Sequence, residues 1–250
     1  METTVELAVD DGVALVWLNR PDRLNAVSPE LVDDLITTLR TVADDDTIGA
    51  VVLAGRGRAF CAGHDLKATT DPGEDSRRRI ERLQEVTRLL RGLPQPVIAA
   101  VHGYAIGAGA EFALGCDLVI AADDAVFAFP EAGLGLSVTG GASRLLPLLV
   151  GPLKAKELIL LGERVDSATA KGMGLVNRRV GGDDLLEEAM TWAARLAAAP
   201  RSSVTLAKRA LDRGIDSAVE TALELEVSHA LLTEHSPAVT ESIERFSGNV

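Results

Sequence analysis

Two glutamates, Glu111 and Glu131, each stand alone in apolar sequence beside a glycine turn. Glu111 follows Gly107-Ala108-Gly109-Ala110, and Glu131 follows Pro130 and precedes Ala132-Gly133. A carboxylate is costly to bury unless it is paired or neutralised. Two readings stand. Either both side chains reach solvent from loop ends, or they form an acid–base pair whose pKa values burial pushes apart. In the second reading the glycines let a substrate lie against the backbone. Free N–H groups at a helix start then bind negative charge as it develops.

The elements that position these acids fall within residues 96–141. An apolar run at 97–101 predicts a buried strand. A glycine-rich turn at 103–109 leads into a short apolar helix that carries Glu111 and ends near Gly115. Strands follow at 118–122 and 126–129, and Glu131 lies in the turn after Pro130. Upstream, alternating runs at 5–9 and 13–18 flank Asp10-Asp11-Gly12, a hairpin signal. Ser28 as N-cap, Pro29 in the first turn, and Leu31, Leu35 and Leu39 at helical spacing predict a helix. Another strand covers 48–54. Residues 71–79 form the most polar stretch, which leads into a helix at 77–91; a lid and a plain solvated connection are both open readings.

Downstream, a helix at 154–161 stops at Gly162, and Asp166 caps a shorter one ending at 172–174. A strand covers 175–180, and helical patterns occupy 184–198, 204–213 and 217–246. The composition shift near Asp183 divides the chain into 1–182 and 183–250. No tandem repeat occurs at a fixed period, but the order strand, strand, helix recurs loosely.

A net charge of −12 and 3% aromatic residues argue against binding to nucleic acid or an anionic membrane. With 47% hydrophobic residues the chain reads as a soluble globular protein. Cys61 and Cys116 have no paired framework, which predicts free thiols in a reducing cytoplasm. No signal peptide, transit peptide or membrane span is legible. The four histidines, His64, His102, His229 and His235, lack the spacing of a zinc site, so no metal is expected. No G-x-S-x-G occurs. Gly107-Ala108-Gly109 mimics a dinucleotide fingerprint, but its third small position falls on Phe112.

Several pieces carry a family likeness: A-F-C-A-G-H-D-L-K at 59–67, P-V-I-A-A-V-H-G-Y-A-I-G-A-G-A-E at 96–111, C-D-L-V-I-A at 116–121 and P-E-A-G-L-G at 130–135. G-G-A-S-R-L-L at 140–146 and A-x-x-x-G-L-V-N at 170–177 extend it. Through nearly its whole length the chain resembles the enoyl-CoA hydratase/isomerase (crotonase) superfamily. The resemblance implies an α/β fold. Its spiral core of strand–strand–helix units, residues 1–182, would bind acyl-CoA. A helical region, 183–250, would serve oligomerisation and active-site cover. It implies a homotrimer or hexamer and an acyl-CoA substrate. Coenzyme A would be part of that substrate, with no separate cofactor.

By the same resemblance, the backbone N–H groups of His64 and Ala108 would hold the thioester oxygen. Glu111 would activate water for attack on carbon three, and Glu131 would supply the proton to carbon two. Arg23 and Lys67 match basic positions against the nucleotide. Leu24, Ala26 and Ala62 would offer the pantetheine arm a flat apolar slot, and Gly107 would lie against the substrate. Isomerase members need only the second acid, so the presence of both favours a hydratase, a lyase. An isomerase, another acyl-CoA reaction and an inactive CoA-binding scaffold are the alternatives. Between Gly135 and Gly140 this chain reads Leu136-Ser137-Val138-Thr139. The resembled hydratases carry a connection there that is a residue longer and contains proline, and its backbone helps hold the attacking water. Ser137 and Thr139 either take over a water contact or finish the turn.

Overall fold

The computed structural model describes residues 3–65 and 76–215. Strands β1 (Val5–Asp10) and β2 (Val13–Leu18) pair antiparallel across the Asp-Gly turn, as that dipeptide predicts. A 3-10 helix, Pro21–Arg23, precedes α1 (Pro29–Asp44). The Ser28 hydroxyl accepts the Leu31 N–H at 3.3 Å, and Leu31, Leu35 and Leu39 are fully buried. The chain continues through β3 (Ala50–Gly55), α2 (Ser76–Gly92), β4 (Val97–Val101), β5 (Tyr104–Ile106) and α3 (Ala108–Gly115). Then come β6 (Leu118–Ala122), β7 (Val126–Ala128), a 3-10 helix at Glu131–Leu134, α4 (Ala142–Val150) and α5 (Pro152–Leu161). Last are β8 (Val165–Asp166), α6 (Ser167–Gly172), β9 (Arg178–Val180), α7 (Leu185–Ala197) and α8 (Arg201–Gly214).

Six strands form one sheet in the order β1-β2-β3-β4-β6-β9, parallel except for the β1–β2 hairpin. Every residue of β3 and β4 is buried, because both faces of this sheet are covered. That explains why these strands read as unbroken apolar runs. On one face α7 lays Leu185, Ala189 and Ala193 against Val52, Ile98 and Ile120. The other face meets the larger core, which takes in α1, α2 and α3.

A second, three-stranded sheet has the order β5-β7-β8. The chain alternates between the two sheets. It passes from β4 to β5 and on to α3, then from β6 to β7 and on to the Glu131 turn. After β3, Cys61 bridges Ala105 of β5, so the same step occurs there in outline. This recurrence is the α/β spiral of strand, strand and helix expected from the sequence.

Three local expectations are corrected. The glycine turn at 103–109 contains β5, whose three residues are too few for periodicity to register. The last strand is Arg178–Val180 rather than 175–180. Leu175 and Val176 bury in the preceding turn, and Asn177 Oδ1 accepts the Val119 N–H at 2.7 Å. Helix α4 was not anticipated; it contains Pro147, which reads as a helix breaker. The expected helix at 217–246 lies outside the described residues, as does most of the polar stretch at 71–79. Among the described residues, no helix is long and apolar enough to cross a membrane.

Candidate active site

Helix α3 begins where the two sheets meet. Gly107 donates its N–H to the Ala128 carbonyl at 2.9 Å, which fastens the helix start to the end of β7. All eight residues of α3 are buried, including Glu111 one turn in. Gly107 has φ +53, and a side chain there would place its first carbon 2.7 Å from Oε1 of Glu131. The Glu131 carboxyl therefore packs directly on the Gly107 backbone. Both acids thus flank the first turn of one short helix, and the reading in which they reach solvent from loop ends is corrected. Their relative exposures are 1% for Glu111 and 7% for Glu131.

The two carboxyls are treated differently. Glu111 accepts the Thr139 N–H on Oε1 and the Thr139 hydroxyl on Oε2, each at 2.5 Å. Gly140, at φ +54, crosses over Glu111 so closely that an added Cβ would sit 2.8 Å from the glutamate's own Cβ. That same Cβ would lie 3.3 Å from the Thr87 hydroxyl, a buried group without a hydrogen-bond partner among the described residues. Glu131 Oε2 is also buried and has no such partner. Burial raises the Glu111 pKa above the ordinary carboxyl value, and the two Thr139 bonds oppose the rise. Burial is likewise the main cause of the raised Glu131 pKa, with the charge of Glu111 adding to it.

Two backbone donors lie on adjacent segments. Val27 and His64 form an isolated parallel bridge, in which Val27 N–H reaches Gly63 O at 2.8 Å and Asp65 N–H reaches Val27 O at 3.0 Å. That pattern turns the N–H of His64 itself away from Val27. A first side-chain carbon on Gly63 would stand 3.9 Å from the Ala108 nitrogen, so the two segments are adjacent. Neither the His64 nor the Ala108 N–H has a partner among the described residues. The His64 side chain is exposed; partial burial of its ring, then the Arg79 guanidinium, lowers its pKa.

Leu24, Ala26 and Ala62 come together as a half-buried patch, joined by Ala62 N–H to Leu24 O at 3.0 Å. Arg23 is exposed beside them, at the end of the first 3-10 helix. Lys67 lies outside the described residues. Sequence reasoning missed what holds this patch. Asn25 is fully buried at φ 55 and donates from Nδ2 to Arg56 O at 2.9 Å and Ala59 O at 2.7 Å. Its Oδ1 accepts the Arg20 N–H at 2.8 Å, while the Arg20 guanidinium pairs with Asp65 at 3.0 Å. Asparagine is among the few side chains that visit left-handed backbone readily, and that was the available signal. Ser137 turns its hydroxyl to the Val138 carbonyl and is exposed; Thr139 alone of the pair engages a carboxylate.

Other chemistries find little support. Burial pushes the Cys61 thiol up to about 12, which removes it as a nucleophile, and raises Cys116 as well. No group of three or more metal-ligating side chains converges among the described residues. Among the described residues, the site holds two unpartnered amides, a carboxylate held on both oxygens and a carboxyl whose Oε2 has no partner. Such a set can move protons beside a carbonyl whose oxygen gains negative charge.

Comparisons with known proteins give the family and the fold. A family model described as enoyl-CoA hydratase/isomerase matches residues 8–249. The 1,2-epoxyphenylacetyl-CoA isomerase of Escherichia coli strain K12 is 37% identical over 243 residues, covering 95% of this chain and 93% of that protein. The crotonyl-CoA hydratase of Syntrophomonas wolfei is 33% identical over 222 residues, covering 88% of this chain and 85% of that protein. The crystal structure of enoyl-CoA hydratase from Bacillus anthracis matches with a TM-score of 0.93 at 32% identity, over 98% of this chain and 96% of that one. The fold is therefore that of the crotonases, and the chain belongs to the enoyl-CoA hydratase/isomerase family.

Proposed function

We propose that the protein adds water across the C2–C3 double bond of an enoyl-CoA thioester. The observation that carries this reading is a fixed Glu111 in the first turn of α3, with Glu131 packed on the start of that turn and its Oε2 unpartnered among the described residues. Glu111 takes a proton from water as the water oxygen bonds to carbon three. The electron pair of the double bond moves toward the thioester oxygen, and the N–H groups of His64 and Ala108 hold the charge. Removing one such donor typically costs about 2.7–4 kcal/mol of transition-state stabilisation. Glu131 then gives its proton to carbon two. Its raised pKa favours the protonated form that this step needs.

Leu24, Ala26, Ala62 and Gly107 would line the path of the pantetheine arm, and Arg23 and Lys67 would face the nucleotide. Coenzyme A enters as part of the substrate, and the steps call for no separate cofactor. The exposed leucines Leu153, Leu160 and Leu161 of α5 support a face covered in a homotrimer or hexamer. The buried thiols Cys61 and Cys116 suit a reducing cytoplasm.

A second reading, double-bond migration or another isomerisation by Glu131 alone, draws on the same contacts. Thr139 engages both oxygens of Glu111, and residues 136–139 lack the proline of the resembled hydratases. Incubating the purified protein with enoyl-CoAs of graded chain length, with product mass measured, separates these. A product heavier by one water supports hydration. An isobaric product with a shifted double bond supports isomerisation, and no turnover with retained CoA binding supports a scaffold.

A further inference from the structure

Thr139 belongs to residues 135–141, which link the turn carrying Glu131 to α4 and include no helix or strand. The segment is tied at both ends. Leu136 donates its N–H to the Glu131 carbonyl at 2.8 Å, and the Thr139 carbonyl accepts the Ala142 N–H at 2.8 Å. One short stretch therefore runs from the backbone of one acid to the side chain of the other. Gly140 closes over Glu111 from above, so the carboxylate can neither swing toward solvent nor turn about its own axis without breaking a bond to Thr139.

The chemistry of the contact is directional. An amide donating to Oε1 and a hydroxyl donating to Oε2 both favour the ionised form, in a place where burial disfavours it. Each oxygen keeps a lone pair for a proton. Among the described residues no other group competes: burial and Thr139 account for the state of Glu111, α2 presents the neutral Thr87, and the neighbouring acid is Glu131.

We propose that Thr139 is a positioning residue, which fixes the Glu111 carboxylate as the base of this site and so sets the division of labour between the two acids. The proposal rests on the two-acid reading given above, and it adds a residue that the resemblance did not supply.

Thr139→Val keeps the shape and the amide but removes the hydroxyl; Thr139→Ser keeps both donors. In the full-length protein, Thr139→Val is expected to lower kcat for hydration by about 10–100-fold, with KM little changed. Solvent-deuterium exchange at carbon two of the product is expected to fall far less, because it depends on Glu131. Thr139→Ser should restore most of the hydration. Wild-type hydration by Thr139→Val, or equal loss in both variants, overturns the proposal.

If the wild-type protein hydrates no enoyl-CoA, the hydratase reading fails, and side-chain 13C NMR of glutamate decides the positioning role separately. The Glu111 resonance, assigned by its absence in Glu111→Gln, should titrate at higher pH in Thr139→Val and return in Thr139→Ser. An unmoved titration in Thr139→Val overturns the proposal.

Discussion

Glu111 and Glu131 occupy neighbouring regions that bury an acid by different means. Around Glu111, a regular helix brings the side chain inward and a later loop supplies two donors to its oxygens. Around Glu131, a tight turn presses the carboxyl onto glycine backbone and leaves Oε2 without a partner among the described residues. Burial is the largest cause of both raised pKa values, so it cannot assign their roles. On the reading proposed above the partners separate them: donors on the charged form suit a base, and an unsatisfied buried oxygen suits a group that holds a proton.

Replacing each acid by its amide is the most severe way to break this comparison. Glu131→Gln is expected to lose about 10²–10⁴-fold in both hydration and deuterium exchange at carbon two. Glu111→Gln should lose hydration to a similar extent and keep much more of the exchange. A Glu111→Gln protein that hydrates normally would transfer the whole reaction to Glu131 and favour isomerisation.

Two glycines offer a finer lever. Gly107→Ala forces a methyl against Glu131, and Gly140→Ala forces one against Glu111, both at left-handed backbone that costs about 1–3 kcal/mol for a non-glycine residue. Displacing a catalytic group by about 1 Å is worth roughly 10²-fold in rate. The exchange reaction should suffer in Gly107→Ala and be largely spared in Gly140→Ala, while hydration drops in both. Thermal unfolding separates the stability cost from the rate. Equal loss of exchange in the two variants would mean that the carboxyls are not independently placed.

The smallest expected effect is on stability. Both folded-state pKa values lie above the ordinary glutamate value of 4.5, so the native protein holds protons that the unfolded chain releases. Stability contributed by these groups is present at low pH and declines as pH rises from about 4.5 through the folded values. Glu131→Gln removes its share of that decline. Urea unfolding across this range should show the variant gaining on the wild-type protein as pH rises. A constant difference between the two would mean that the Glu131 carboxyl titrates normally in the native state.

Much of this arrangement was legible in the sequence where a pattern was long or chemically marked. The buried strands β3, β4 and β6 announced themselves as apolar runs, and Ser28-Pro29 marked the start of α1. Both acids stood out because carboxylates are rare in such surroundings. What the sequence left open or passed over depended on contacts between distant segments. Thr139 reads as a loop threonine until Glu111, 28 positions earlier, is brought beneath it. Asn25 reads as part of a turn until the carbonyls of Arg56 and Ala59 close on its amide. Strand β5 has three residues and gains its identity only from pairing with β7.

The parallel bridge between Val27 and His64 has an evolutionary consequence. On the reading proposed above, the groups that meet the thioester oxygen are main-chain amides, positioned by a ladder of backbone bonds. Every amino acid but proline carries such an amide. Position 64 is therefore free to drift among many side chains, and position 108 among those small enough for its buried site, without loss of the donor. The constraint of this geometry falls on the glycines that let the backbones approach, Gly63 and Gly107, rather than on the donor residues.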